Sequence, residues 1–420
     1  MDHEDEFLNT FFSHLSHLCF DKAKEYLERE KEACKSIPLT PWAMLLTHLP
    51  QMLLAEKSYI ELGCLTTKNK GFLRKENSLR AIYDGLRVEM KRLEDVTKLS
   101  QEIDENFNGD DRPVPYYIAE FLTARIDLID LYEKLFQLGS CKNVKYTNVL
   151  SQIELMQKKH EQGFTHIALT PIKAVVTLEI EILSHLLEAL DKLQKLEFIP
   201  AVTQLYGAHT RILVWENSLQ NRETWKLGFG TTFLKNNPQP LLFQWLVKLK
   251  CSALSKFSLY FHNTLAQQTT TQEMRQLCSK QQVDYYAKLL SFHRRYDVTL
   301  ICLLYDNRGY ETENDTDKNN AFSVIVCYPT KNVMYLIDNF IKIITEKSPD
   351  LSNVDKYAFL YNPEDNHTYT IANIEQRIHM LLIFDGKKTE KDIHISNFIT
   401  EISGQLRFIK NFTNLKISSK

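Results

Sequence analysis

The sequence predicts an α+β protein: an N-terminal multi-helix bundle followed by a small α/β domain with a five-stranded sheet. Three observations carry this reading. Apolar residues recur at helical spacing through the first two-thirds of the chain. The pattern changes near Asp297, where Val298–Tyr305 runs Val-Thr-Leu-Ile-Cys-Leu-Leu-Tyr, as in a strand buried on both faces. The chain has 420 residues, and single cores stop growing near ~250–300 residues. The expected division is a helical bundle over residues 1–280 and an α/β domain over 281–420.

Phe7–Lys31 places Phe7, Phe11, Leu15, Leu18 and Tyr26 near helical spacing. Thr40-Pro41 opens the next helix, because proline in the first turn gives up no helical hydrogen bond; Gly63 ends it. Gly71–Ile103 continues with Leu79, Ile82, Tyr83, Leu86, Met90 and Leu93. Glu105–Pro115 is polar, contains Gly109, Pro113 and Pro115, and reads as a loop. Tyr116–Leu138 is a helix ending at Gly139. Thr170-Pro171 starts another, and its apolar positions from Ile172 to Leu190 cover more than one face, which suits the centre of a bundle. Phe198–Leu219 is its expected antiparallel partner. Gly228–Pro240 reads as a loop, and Leu241–Gln267 as a long helix carrying Trp245, Leu249, Leu254, Phe257, Tyr260 and Phe261.

The second part begins with a helix over Gln281–Tyr296. The strand at Val298 is followed by a polar stretch, Asp306–Asn320, and a second strand, Ala321–Cys327, stopped by Pro329. Thr330 caps an expected helix carrying Val333, Leu336, Ile337, Phe340, Ile341 and Ile344. Tyr357–Tyr361 and Thr368–Ala372 flank the turn signal Asn362-Pro363, and Ile378–Phe384 is a further strand. Thr389 and Asp392 form a capping-box pattern before the last helix, which carries Ile395, Phe398, Ile399, Ile402, Leu406 and Ile409. The order α-β-β-α-β-β-β-α is similar to that of roadblock-type domains, which serve as adaptor platforms around small GTPases; this is analogy at the level of fold.

Composition excludes several classes of function. The net charge of −2 gives no bulk attraction to nucleic acid or anionic lipid. The acidic start, Met1-Asp2-His3-Glu4-Asp5-Glu6, is not a secretory signal. No apolar run approaches the ~20 residues needed to cross a bilayer, and the most apolar helix is interrupted by Lys173, Glu179, Glu181 and His185. With aspartate at position 2 and no prenylation cysteine near the last residue, neither lipid anchor is expected. The eight cysteines (Cys19, Cys34, Cys64, Cys141, Cys251, Cys278, Cys302 and Cys327) are scattered, as expected of reduced thiols in the cytosol.

No motif supplies chemistry. His14 and His17 near Cys19 and Asp21 lack the second ligand pair of a zinc site. His160-Glu161 with His166 has the wrong spacing for a zinc protease helix. Asp315, Asp317 and Asn319 begin like a calcium loop, but the twelfth position is Val326. Gly228-Phe229-Gly230 lacks the third glycine of a dinucleotide fingerprint. An enzyme would require convergent titratable groups in a deep polar pocket, and no such set is apparent. The expectation is therefore no catalytic, cofactor or metal residues, and no enzyme.

Two strings carry a resemblance: Lys256–Thr270 (Lys-Phe-Ser-Leu-Tyr-Phe-His-Asn-Thr-Leu-Ala-Gln-Gln-Thr-Thr) and Leu303–Gly309 (Leu-Leu-Tyr-Asp-Asn-Arg-Gly). With Phe11–Leu15, Phe20–Ser36, Ala55–Tyr59, Phe72–Leu86 and Leu381–Ser403, they make the chain resemble the KICSTOR complex subunit 2 family. The resemblance runs from Phe11 to about Ser403; Tyr310–Asn320 and Lys98–Pro115 depart from it. It implies a non-enzymatic scaffold subunit, cytoplasmic and held at the lysosomal membrane by partner proteins. The implied partners are the large seizure-threshold scaffold subunit, kaptin, an integrin-alpha FG-GAP repeat protein and the GATOR complex. The implied role is to help bring GATOR to Rag GTPases and so restrain TOR complex 1 in amino-acid or glucose starvation. The other reading is a roadblock- or longin-like adaptor binding a small GTPase in vesicle traffic.

The candidate protein-interaction residues are Tyr260, Phe261, His262, Asp306, Asn307, Arg308, Lys387 and Lys388. For the aromatic group, helical spacing favours core packing, while exposure would make it an interface. Gly386-Lys387-Lys388 suits an acidic partner, although a solvated loop is the commoner use of such a run.

Overall fold

The computed structural model describes residues 3–34, 40–65, 78–101, 112–141, 143–224, 239–308, 322–330, 339, 341 and 357–416. All of the expected helix after Thr330 except Asn339 and Ile341 lies outside them, as do the acidic triplet Asp315–Asn319, Gly228–Gly230 and most of the expected loop Glu105–Pro115.

Among the described residues, the α-helices that precede the sheet are α1 (His3–Ser16), α2 (Phe20–Ala33), α3 (Pro41–Ile60), α4 (Leu79–Gln101), α5 (Val114–Leu138), α6 (Thr147–Glu161), α7 (Thr170–Gln194), α8 (Phe198–Thr224), α9 (Leu241–Tyr260), α10 (His262–Gln268), α11 (Thr271–Ser279) and α12 (Tyr285–Arg295). Five strands follow, β1 (Val298–Asp306), β2 (Phe322–Tyr328), β3 (Tyr357–Asn362), β4 (His367–Glu375) and β5 (Ile378–Asp385), then α13 (Ile393–Leu406) and α14 (Ile409–Thr413). The predicted α+β class and the order of bundle then sheet are those observed. No helix among the described residues is long and apolar enough to cross a membrane.

Several helix ends depart from the sequence reading. The apolar spacing over Phe7–Lys31 spans two helices, because Leu18 adopts a left-handed backbone (φ 57°). There the Leu18 N–H donates to the Leu15 carbonyl and the Cys19 N–H to that of His14, a Schellman closure. Leu62 (φ 56°) ends α3 the same way, donating to Tyr59 while Gly63 donates to Ser58. Leu196 (φ 56°) ends α7, with Glu197 donating to Lys192. The terminating residue after α3 is thus Leu62, and Gly63 serves space: a Cβ there would lie 2.8 Å from the Ser58 carbonyl oxygen. The expected helix Leu241–Gln267 is likewise two helices, divided at Phe261. Helix α6 carries no strong start signal and has no counterpart among the expected elements.

Other signals act as read. The Thr40 hydroxyl accepts from the Ala43 N–H at 3.2 Å and caps α3. Helix α7 packs against α1, α6, α8 and α9, which accounts for its apolar residues on several faces. Helix α8 returns antiparallel along it: Arg211 pairs with Glu181, and His185 Nδ1 bonds Gln204 at 2.6 Å. Gly207 permits this approach, since a Cβ there would lie 2.8 Å from His185 Cε1.

The sheet is antiparallel in the order β2-β1-β5-β4-β3. Strand β1 lies between β2 and β5 and is buried on both faces. Ile301 and Leu303 join Met380, Leu382 and Phe384 in one core that is continuous with the bundle. Leu300, Cys302 and Leu304 join Ile371, Leu381 and Ile383 in a second cluster on the opposite face. The sheet therefore packs directly on the helices, and α12 and α13 lie beside each other next to it.

Candidate functional site

The structure separates the eight sequence-predicted residues into three places. Tyr260 and Phe261 are buried where α9 gives way to α10. The Tyr260 hydroxyl donates to Glu375 Oε2 at 2.8 Å, and the Phe261 ring lies 5.0 Å from Phe198 and 4.9 Å from Phe257. Both are core residues, the reading that helical spacing favours. His262 is half-buried and stacks on Tyr286 with ring centroids 3.7 Å apart. Burial holds its pKa below the ordinary imidazole value.

Asp306, Asn307 and Arg308 close β1. Arg308 grips Asp306 through Nη2 at 2.8 Å and Nε at 2.9 Å, and Asn307 donates to the Ser323 hydroxyl at 2.6 Å. Burial alone would raise the Asp306 pKa, but hydrogen bonds from the Arg308 side chain and backbone hold it below the ordinary carboxylate value. Lys387 and Lys388 follow β5. Lys387 is exposed and its Nζ lies 6.0 Å from the Tyr361 ring; the Lys388 N–H donates to Thr368 Oγ1 at 2.9 Å. Val298 pairs with Phe384 and Tyr305 with Ile378. Asp306–Arg308 and Lys387–Lys388 are therefore at opposite ends of the sheet, flanking a paired stretch roughly 23 Å long at the rise of an extended strand. They do not form one site.

The strongest ionic chemistry is instead buried, at positions that sequence reasoning missed. In the bundle, Arg125 on α5 donates through Nε and Nη2 to the two carboxylate oxygens of Glu56 on α3, at 3.0 and 2.8 Å. Its Nη1 donates to Glu179 Oε2 on α7 at 2.9 Å. The hydroxyl of Tyr83 donates to Glu56 Oε1 at 2.7 Å, and Tyr59 and Tyr132 donate to Glu179 Oε1 at 2.5 and 2.8 Å. The guanidinium also lies 4.4 Å from the Tyr59 ring centroid. Burial pushes the Glu179 carboxyl up, against the pull of Arg125 and the two phenols. Burial likewise raises the Tyr59, Tyr83 and Tyr132 phenols, so they stay protonated and can only donate to these carboxylates. This buried network pins four helices, α3, α4, α5 and α7, to one another.

A second buried pair joins the bundle to the sheet. Lys256 Nζ on α9 lies 2.6 Å from Glu375 Oε1 on β4 and donates to the Leu406 carbonyl at 3.0 Å. Elsewhere, His160 Nε2 meets Asp127 Oδ2 at 2.9 Å with Lys159 on the same oxygen. His17, one of the histidines weighed as a ligand, bonds the Ser13 carbonyl through Nδ1 at 2.8 Å. Among the described residues no group of three or more His, Cys, Asp and Glu side chains is placed to hold a metal ion. An open groove of about 280 Å³ lies between α12 and α13, floored by aromatic rings.

The class so defined is an α+β protein whose helical bundle and sheet share one core, with ionic clusters fastening the elements together. The family model described as "KICSTOR complex C12orf66 like" matches residues 1–420. KICSTOR subunit 2 of Xenopus laevis is 32% identical over 437 residues, covering 99% of this chain and 97% of the relative. KICSTOR subunit 2 of Danio rerio is 32% identical over 433 residues, covering 98% and 96%. The chain belongs to the KICSTOR C12orf66-like family.

Proposed function

We propose that this chain is a non-enzymatic scaffold subunit of a KICSTOR-like complex. The observation that carries the reading is the end-to-end match: the family model spans residues 1–420, and the subunits named above are covered over nearly their whole length. The burial of the Arg125 and Lys256 clusters is consistent with it, since their charges serve cohesion and face no substrate. The chain would have two working parts, residues 1–280 and 281–420, and would act by binding energy alone. Its partners would be the large seizure-threshold scaffold, kaptin and the integrin-alpha FG-GAP repeat protein. Placed at the lysosomal surface by them, it would help recruit GATOR to Rag GTPases and restrain TOR complex 1 in starvation.

The antiparallel five-stranded sheet beside helices also favours a second reading, a roadblock- or longin-like adaptor for a small GTPase. Affinity purification of the tagged full chain from its own cells, fed and amino-acid-starved, separates the two. The scaffold reading expects the large scaffold subunit and GATOR components in the eluate. A small GTPase or coat component in their place, bound according to its nucleotide, would transfer the assignment to trafficking.

A further inference from the structure

Helices α12 and α13 run antiparallel, and three cross-pairs fix their register. Lys288 Nζ meets Glu401 Oε1 at 2.8 Å. Phe292 and Phe398 stack with ring centroids 3.8 Å apart and planes 7° from parallel. Tyr296 and His394 stack at 5.2 Å. The groove above these pairs has an apolar floor of Phe292, Phe398 and Ile402 and a rim that includes exposed Ser291, Arg295 and Asn397. A second concavity continues on the other flank of α12, lined by Leu290, Arg294 and Arg295.

The charge along this surface is unbalanced. Lys288 is matched by Glu401, and the Asp392 carboxylate is taken by the Thr389 N–H at 2.9 Å. Arg294 and Arg295 are exposed and form no ion pair with any described residue. Several other arginines of this chain close on carboxylates, among them Arg80 on Asp130, Arg87 on Asp84, Arg211 on Glu181 and Arg308 on Asp306, whereas Arg294 and Arg295 stand unpaired side by side. Two adjacent unpaired guanidiniums beside an aromatic floor make a site that lacks both an apolar side chain and compensating negative charge.

We propose that the α12–α13 groove docks an acidic amphipathic helix of a partner protein. An aliphatic or aromatic side chain of that helix would rest on Phe292 and Phe398, and its carboxylates would meet Arg294 and Arg295. An anionic membrane offers the charge but not a side chain for a recessed apolar floor, and two surplus cations are few for a lipid surface. A third helix lying on an antiparallel pair satisfies both requirements. The proposal rests on the scaffold reading, for which it names one contact surface.

The test uses the purified full chain and fluorescein-labelled helical peptides with glutamates on one face and Leu, Phe or Trp anchors on the other. Matched peptides carry lysine in place of glutamate. Two variants are compared: R294E/R295E, which reverses the rim, and Asn397→Trp, which fills the groove from an exposed position. Fluorescence anisotropy should show binding of an acidic peptide, weaker in high salt, with affinity reduced about tenfold or more in each variant while thermal melting is unchanged. Equal binding of the lysine peptides, equal binding by both variants, or no binding of any acidic peptide would overturn it. Co-sedimentation of the wild type, but not R294E/R295E, with phosphatidylserine-containing vesicles and without peptide binding would also overturn it and assign the rim to lipid. If the variants still co-purify with the complex subunits while peptide binding is absent, the groove assignment fails and the scaffold reading stands.

Discussion

Lys256 Nζ lies 2.6 Å from Glu375 Oε1 with both side chains buried, joining residues 119 positions apart in the sequence. The pair connects α9 to β4, and the second carboxylate oxygen accepts from Tyr260. Burial lowers the Lys256 pKa, and the adjacent Glu375 opposes that shift. Desolvating two charges is costly, so the pair's net worth is modest, yet a lone buried charge is much worse. Lys256→Met should therefore reduce unfolding free energy by about 3–5 kcal/mol, and the double variant with Glu375→Leu should regain much of it. Urea unfolding of the four proteins in the cycle measures this. A single variant costing no more than an exposed pair, about 0–1 kcal/mol, would show that the ammonium is not held there.

The Arg125 network invites a sharper comparison. Its guanidinium spans two carboxylates in different directions, bidentate to Glu56 and single to Glu179. Lysine is a point charge on a flexible stem and cannot reproduce that fork. Arg125→Met should lose about 3–5 kcal/mol, and Arg125→Lys should restore less than half of the loss. Chemical denaturation monitored by circular dichroism would reveal it. Full rescue by lysine would mean that charge alone, without the fork, sustains the network.

What the sequence made legible was periodicity, and what it hid was tertiary pairing. Val298–Tyr305 announced a doubly buried strand, and the Asn362-Pro363 turn located the β3–β4 hairpin, because both depend on local composition. Glu179, by contrast, reads in the sequence as a polar interruption of an apolar helix. Its partner Arg125 is 54 residues away, and no local signal joins the two. The α12–α13 groove is equally silent, since only the antiparallel register brings Phe292 onto Phe398.

The missed helix ends have a separate cause. Left-handed positions favour glycine, yet this chain places Leu18, Leu62, Leu196 and Phe408 there. The left-handed backbone costs about 1–2 kcal/mol, whereas full burial of a leucine side chain contributes about 1.5–3 kcal/mol. Leu62 is 2% exposed, so burial wins. Leu62→Gly should accordingly destabilise the protein by about 1 kcal/mol, although glycine suits the backbone better. Thermal melting decides the sign. An increase in melting temperature would show that the backbone term outweighs the lost side chain.

His379 supplies the pH prediction. It projects from β5 on the face away from the bundle, 6.1 Å from the Phe322 ring centroid. Burial lowers its pKa to about 4; the Asp306 charge opposes the shift and the Arg308 charge adds to it. The unfolded value is about 6.5. Between these values the unfolded chain binds a proton that the folded chain refuses, so unfolding free energy falls as pH falls. The contribution is constant above about pH 6.5, declines down to about pH 4 and levels off below it, for a total of about 3 kcal/mol. Carboxylates held below their ordinary values, such as Asp127 and Asp365, add their own loss at lower pH, near and below their unfolded pKa. His379→Gln, which cannot take up the proton, should flatten the profile between pH 6.5 and pH 4 relative to the wild type. Denaturant melts at half-unit pH intervals test this, and parallel profiles for the two proteins would show that the imidazole is protonated equally in both states.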